Sequence, residues 1–528
     1  MFKHCALALC LAAASGLTMA AEPVDLAMIN RIQHEAFHNS KVMDTMAELT
    51  EVIGPRLTGS PAMARAHAWT GQQMRDWGLT NVHDEAWDDF GRGWEFSFAH
   101  VDVLEPRAFP LRALPGSWTP GTDGPVEGEV MIVKIEKPED LEQYKGKLAG
   151  KILLLDPLRP YVRAITVATQ RHDANSLASL HEFTIPGDDA EREQWKGEYM
   201  KMRELGQASS QFFMDEGVLA TLRISSRDDG ILRVFGGGAR KADEVVGVPS
   251  LVVTAEHYNT LVRAVQAERP VRMRINVDSR FTSSTDQPGY NTIAEIPGQG
   301  RLAQEVVMLG AHMDSWHTGT GATDNAAGVA VMMEVMRILK AVGAKPQRTI
   351  RVALWSGEEQ GLIGSREYVK RHFASYPEPT DPEQKKLPEF FREPTGELQT
   401  TRAYDQFSAY FNLDNGSGRI RGIYAQENHA AAAIFSDWLK PFHDLGATDV
   451  VLANTGSTDH ISFDRVGLPG FQFVQDSLDY FSQTHHTELD TLDHVEASDL
   501  KQAAAIIASF AYHAAMREQK LPRKPLSK

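Results

Sequence analysis

The sequence predicts an α/β protein: an open, mostly parallel mixed sheet flanked by helices, interrupted by an inserted β-rich unit. Three observations predict it. From about residue 291, short apolar strands alternate with helical stretches, the cadence of a sheet wound with helices on both faces. Between about 121 and 285 the apolar segments are short and partly β-branched. Finally, 528 residues at 42% hydrophobic content supply a sizeable core, enough for two to four domains.

Taken in order, residues 1–20 read as a signal peptide. Lys3 and His4 precede an apolar run from Cys5 to Ala14, and Thr18-Met19-Ala20 places cleavage after Ala20. The run is shorter than the roughly 20 residues a membrane span needs, and the large Leu9 before Cys10 argues against a lipid anchor. No later segment reaches spanning length. Both cysteines lie in this segment, so the mature chain carries neither disulfides, thiolate metal ligands nor a cysteine nucleophile. The formal charge is −16 and the acidic excess grows once Lys3 is removed, which argues against a nucleic-acid partner. An exported protein, periplasmic or secreted, is the expectation.

Residues 21–120 read as the N-terminal part of the catalytic domain. Helices are expected at 27–37, 42–53 and about 62–77, the last stopped by Gly78, with a loop at 54–61 and a strand at 95–103. Proline and glycine cluster over 110–128 and mark a boundary. The insert, 121–285, holds strands at 130–135, 150–155, 217–224 and 249–254, a helix at 255–265, and a charged helical stretch at 189–205 that reads as a solvated face. No residue in this unit converges on chemistry. The catalytic domain resumes over 286–528, with strands at 306–310, 349–355, 407–413 and 470–474 and helices at 326–340, 362–371, 429–439 and 499–516. A polar loop spans 376–401, a length that usually carries function.

Each of these last strands ends in a titratable group. His312 and Asp314 follow the first, Glu358 and Glu359 the second, Asp414 the third, and the loop after the fourth carries His485 and His486. Asp324 lies between the first strand and its helix. Taken alone, Asp324 reads as a helix cap, Glu358-Glu359 and Asp414 as turns, and the histidine pair as surface loop. Taken together they stand at one end of one sheet, where open α/β folds place their ligand crevice. Packed carboxylates need a cation. Two histidines and three carboxylates without cysteine suit zinc, and five ligands suit two ions sharing a carboxylate.

The runs Gly310-Ala311-His312-Met313-Asp314-Ser315-Trp316, Gly321-Ala322-Thr323-Asp324-Asn325-Ala326-Ala327-Gly328-Val329 and Trp355-Ser356-Gly357-Glu358-Glu359-Gln360-Gly361-Leu362-Ile363-Gly364-Ser365 resemble the co-catalytic di-zinc exopeptidases. Asn412-Leu413-Asp414 and His485-His486-Thr487, with Asp490-Thr491 beyond, complete the pattern over about 290–495. The insert is similar to the protease-associated domain found in many members. Trp316 and the double histidine lean towards the carboxypeptidase Q branch.

The resemblance implies two Zn2+ per chain. It makes Asp324 the bridging carboxylate, His312 and Asp414 the ligands of one ion, and Glu359 and His486 those of the other. Glu358 becomes the general base acting on a bridging hydroxide, and Asp314 the residue that orients His312. His486 is chosen over His485 by its spacing from Asp490, and a cis peptide is expected after Asp324. The implied partner is a short peptide or dipeptide cut at a terminal bond; which terminus stays open, and a homodimer is an allowed assembly. The alternatives are a non-catalytic receptor-like binding protein and a mono-zinc glutaminyl cyclase, separated by metal count. Asn325 departs from the second Asp of many relatives. Thr458-Asp459-His460 reads either as a crevice segment or as a helix cap. His172, His181, His429 and His443 read as ordinary residues.

Overall fold

Two eight-stranded sheets organise the chain in a computed structural model that describes residues 22–163, 168–182 and 189–526. The expected signal peptide lies outside the described residues. The first sheet runs, in spatial order, Thr80–Gly91, Gln287–Ile296, Thr349–Trp355, Val306–His312, Phe407–Asn412, Gly470–Gln475, Ile420–Tyr424 and Asp449–Val451. The four strands that the alternation predicts form its parallel centre. Antiparallel pairings flank them on both sides, so the sheet is mixed and mostly parallel at its heart, as the sequence predicts.

Burial explains the centre. Every residue of Phe407–Asn412 and Gly470–Gln475 is buried, which a strand covered on both faces requires. On one face lie the helices Ala327–Ala341 and Ala497–Met516, both apolar nearly all round, with Leu26–His38 packed against both and Pro61–Asp76 lying on the strands Thr80–Gly91 and Gln287–Ile296. Local signals set their ends. Asp25 accepts from Met28 N at 2.9 Å, Ser60 accepts from Met63 N at 3.1 Å with Pro61 in the first turn, and Gly78 leaves the third helix at φ 76°. On the other face Trp355, Tyr368, Phe373, Tyr410 and Phe463 form an aromatic layer, Tyr410 and Phe463 stacked at 4.2 Å.

The second sheet runs Phe109–Pro110, Trp94–Glu105, Arg272–Phe281, Val126–Ile132, Lys151–Leu154, Ala220–Ile224, Ser250–Val253 and Ala113–Pro115 around its own core. The strand expected at 95–103 therefore belongs here. By sheet pairing, the second unit begins just after Gly91, earlier than residue 121. The proline- and glycine-rich stretch supplies turns and short strands inside the unit, and Trp94–Glu105 is held by a long antiparallel pairing with Arg272–Phe281. The charged stretch at 189–205 extends into one helix, Asp189–Asp215.

Candidate metal centre and active site

The carboxyl ends of the central strands bring all nine predicted residues into one cluster. His312 closes its strand. Gly357, at φ 73°, turns the next strand so that Glu358 and Glu359 face inwards. Both their N–H groups donate to the buried Asp314 carboxylate, at 3.3 Å each, and Thr58 Oγ1 donates to it at 2.8 Å. His312 Nδ1 meets the Asp314 carbonyl at 2.9 Å, closer than its carboxylate at 3.5 Å. The backbone of Asp314 thus orients the imidazole, while its side chain fixes the glutamate turn.

Asp324 sits in the tight turn Ala322–Ala326, and its peptide bond to Asn325 is cis. Asp490 fixes this turn by accepting from Thr323 N at 2.6 Å, Thr323 Oγ1 at 2.7 Å and Asp324 N at 3.1 Å. Asn325 Nδ2 donates to Leu413 O at 2.9 Å, and Asn325 Oδ1 accepts from Gly328 N at 3.0 Å. An amide does both; an ionised carboxylate has no proton for the first bond. The departure at Asn325 therefore ties the Asp324 turn to the chain beside Asp414.

Asp324 faces both imidazoles. Its Oδ1 is 3.2 Å from His312 Nε2 and its Oδ2 is 3.1 Å from His486 Nε2. His312 Nε2 also lies 3.3 Å from Asp414 Oδ1 and 4.0 Å from Glu358 Oε2, and His486 Nε2 lies 3.0 Å from Glu359 Oε2. Among the described residues, two groups have donor atoms close enough to share an ion: His312, Glu358 and Asp414, and Asp324, His485 and His486. These groups include Glu358 and His485 and omit Glu359, whose Oε2 instead meets His486 Nε2.

The electrostatics ask for cations. Burial works against charge on His312, yet Asp414, Glu358, Asp314 and Asp324 hold its pKa well above the usual value. His486 is likewise raised to about 10, against burial, by Glu359 and Asp324. Burial works against the Asp324 carboxylate, but the two imidazoles hold it well below the usual range. Burial pushes Glu359 up to about 7 and Glu358 well above its usual value, with neighbouring carboxylates adding to the shift. Protons on two imidazoles are neutralising a carboxylate cluster, a task that divalent cations perform with more charge. Among the described residues, Glu359 Oε1 is buried without a hydrogen-bond partner, and Asp324 Oδ2 has only its contact with the His486 ring at 3.1 Å. Nitrogen and oxygen donors with unspent lone pairs, and no sulfur, fit a borderline divalent ion.

The structure adds residues that sequence order hides. Arg56, wholly buried, donates to the carbonyls of Leu49, Gly54, Met313, Thr320 and Gly321 at 2.8–3.1 Å. It clamps the end of the His312 strand to the loop before Asp324. Burial lowers its pKa to about 10 against the pull of Asp490, Asp314 and Asp324. Arg56→Met is expected to leave these carbonyls without donors and to cost about 3 kcal/mol or more of stability, read from the urea midpoint.

The second unit also enters the site, contrary to the expectation that none of its residues converges on chemistry. Arg233 NH2 lies 3.1 Å from His485 Nδ1, and Phe235 packs edge-on against His486 at 5.0 Å. Val234 N donates to His486 O at 3.2 Å, and Arg112 pairs with Glu488 at 2.7 Å. The signal for these contacts is spatial, because the residues lie from about 250 to 376 positions from their partners. Asp459 does not cap the following helix: its side chain makes no capping bond, and burial pushes it up to about 7. His172 and His181 face Ser176 and Asp449.

A cavity of about 1120 Å³ opens onto the cluster, lined by Asp324, Glu358, Asp414 and His485 and, further out, by Trp195 and Phe391. Trp195, from the second unit, meets Phe391, from the polar loop, at 4.6 Å.

Residues 291–511 match Peptidase family M28. Carboxypeptidase Q of Mus musculus is 26% identical over 503 residues, covering 95% of this chain and 91% of that protein. Among solved structures, a peptidase M28 precursor from Shewanella amazonensis SB2B aligns with a TM-score of 0.64 at 23% identity, covering 94% of this chain and 98% of that one. The zinc aminopeptidase of Bacillus subtilis aligns with a TM-score of 0.55 at 18% identity, covering 90% and 95%. Residues 291–511 carry the match to Peptidase family M28, likeness to carboxypeptidase Q and to solved peptidase structures extends over nearly the whole length in sequence and in fold, and the chain is a metallo-exopeptidase.

Proposed function

We propose that the chain removes terminal residues from short peptides or splits dipeptides, using two zinc ions. His312 and Asp414 would hold one, Glu359 and His486 the other, and Asp324 both. The observation that carries this reading is Asp324, whose two oxygens face different imidazoles at 3.2 and 3.1 Å. The zinc aminopeptidase of similar fold supports the choice of metal. Bound zinc supplies Lewis-acid polarisation of a carbonyl and lowers the pKa of water from 15.7 to about 7.

The chain's own residues supply the rest. Glu358, buried beside the ligands with its N–H anchored on Asp314, is placed to take a proton from the attacking water and to pass it to the leaving nitrogen. Trp195 and Phe391 narrow the outer cavity, which favours chain ends and short peptides over an extended chain. Export follows from the expected signal peptide, and among the described residues no helix is long and apolar enough to cross a membrane.

The test is a zinc titration of the chelator-stripped mature protein, following hydrolysis of a dipeptide beside its N-acetylated and C-amidated forms. A plateau near two zinc per chain is expected, and the blocked form that fails identifies the recognised terminus. A plateau at one would favour the cyclase reading. Zinc uptake with none of the three cleaved would favour a binding protein. Uptake at pH 8 is expected to release protons, because His486, at about 10, is protonated there and must lose its proton to bind metal. Affinity therefore falls as pH falls, which calorimetry in buffers of different ionisation enthalpy measures directly.

A further inference from the structure

We propose that Glu488 is a positioning residue: through it the second unit sets where His486 stands at the cluster, and so governs the affinity of one of the two ion positions. The inference rests on His486 being a metal ligand, as in the reading above.

His486 stands in a conformation that needs outside support. Its φ is 62°, in the left-handed region that residues with side chains seldom occupy, and such a conformation persists only where the surroundings enforce it. Within its own loop the bonds are short turns, from Thr487 N to Thr484 O at 3.0 Å and from Asp490 N to Thr487 O at 3.2 Å. The bonds that bracket His486 reach the second unit. Val234 N donates to His486 O at 3.2 Å, Arg233 and Thr487 form an antiparallel bridge, and Glu488 N donates to Leu232 O at 3.3 Å.

The Glu488 side chain fastens this junction. Its Oε1 accepts from Arg112 at 2.7 Å and its Oε2 from Leu232 N at 2.8 Å. Both oxygens of a carboxylate with only 14% side-chain exposure are thus spent on the second unit, in charge-assisted bonds roughly twice as strong as neutral ones. The receiving loop is braced in turn. Ser225, buried at the end of the strand Ala220–Ile224, accepts from Arg233 N at 3.1 Å and donates to Ile231 O at 2.7 Å, and its N–H donates to Val253 O at 2.8 Å. The second sheet therefore reaches His486 through Ser225, Leu232 and Glu488. The same unit grips the start of the loop: Gln170 N donates to Leu478 O at 2.8 Å, and Arg227 NH2 to Phe481 O at 2.6 Å.

The other ion position is built differently. His312 ends a central strand paired on both sides within the first sheet, and Asp414 lies just beyond one of its neighbours. A shift of the second unit therefore moves His486 relative to Asp324 and Glu359 and leaves His312 and Asp414 in place.

The experiment compares the full-length protein with Glu488→Ala, Glu488→Gln, Arg112→Met and Glu305→Ala. Zinc binding to the chelator-stripped proteins is followed by chelator competition, with urea midpoints and dipeptide hydrolysis beside it. Glu488→Ala is expected to bind one zinc as the parent does and the other about 10–100-fold more weakly, the loss that follows removal of a group orienting a ligand. Hydrolysis should return when zinc is raised by the same factor, because every ligand remains. Glu488→Gln, which still accepts from Leu232 N, should recover most of the loss, and Arg112→Met should weaken the same position by less. Glu305→Ala removes the partner of Arg348 at 2.7 Å, before the first residue of the strand that His312 ends. It should lower the urea midpoint and change neither zinc affinity. Parent affinity at both positions in a folded Glu488→Ala would overturn the inference. Equal weakening of both would also overturn it, by making Glu488 a support of the fold. If Glu488→Ala does not fold, Arg112→Met decides, and parent affinity at both positions there overturns the inference. A parent that takes up fewer than two zinc ions would overturn the two-ion reading and the inference with it, a result visible in the parent alone.

Discussion

Glu358→Gln is expected to leave both metals bound and to lower turnover by about 10²–10⁴-fold. Glutamine matches glutamate in shape and keeps the backbone bond to Asp314 at 3.3 Å, so the turn after the strand Thr349–Trp355 should persist. What disappears is the ability to take a proton. The contrast with ligand loss is sharp because Glu358 Oε2 stands 4.0 Å from His312 Nε2, whereas the oxygens of Asp324 and Asp414 stand at 3.2 and 3.3 Å. Elemental analysis beside single-turnover rates makes the measurement. Normal turnover removes Glu358 from the role of base. A drop to one metal per chain would make it a ligand, the possibility that its grouping with His312 and Asp414 raises.

The sequence was most legible where local pattern and position coincide. The apolar strands at 306–312, 349–355, 407–412 and 470–475 announce themselves by burial on both faces, and a carboxylate or histidine just past each end falls into the crevice by topology alone. Legibility ended where partners are chosen in space. The segment at 94–105 is plainly a strand, but nothing local says that it pairs with 272–281 instead of joining the first sheet. Thr80–Gly91 alternates too few apolar residues to be seen, as suits a strand at the edge of its sheet. Arg56 reads as an ordinary loop arginine until the carbonyls around it are located, and Arg233 as part of a remote unit until it meets His485. The cap that Asp324 taken alone would suggest falls instead to Asn325, which holds Gly328 N and leaves the Asp324 side chain to face the imidazoles.

Asp324→Asn is expected to lower zinc uptake at both positions together, and activity to background with it. A single-site ligand such as Asp414 should, when changed, weaken chiefly one. The asymmetry follows from geometry, since the two Asp324 oxygens address His312 and His486 separately. The amide also turns an N–H donor towards one of the two positions, where a cation cannot be accommodated. Affinity at each position should therefore fall by more than the roughly 10–100-fold that follows loss of an outer-shell partner. The fold should survive, because the turn is held by Asp490 through Thr323 and by Asn325 through Leu413, not by the Asp324 carboxylate. Circular dichroism and zinc content together decide the matter. A folded variant that still binds two zinc ions would mean that Asp324 does not bridge, and the paired arrangement would have to rest on Glu359 and Asp414 alone. A folded variant that binds neither would show that the two positions are one cooperative site, and would explain why Arg56, Asp490 and Asn325 all bear on a turn of five residues.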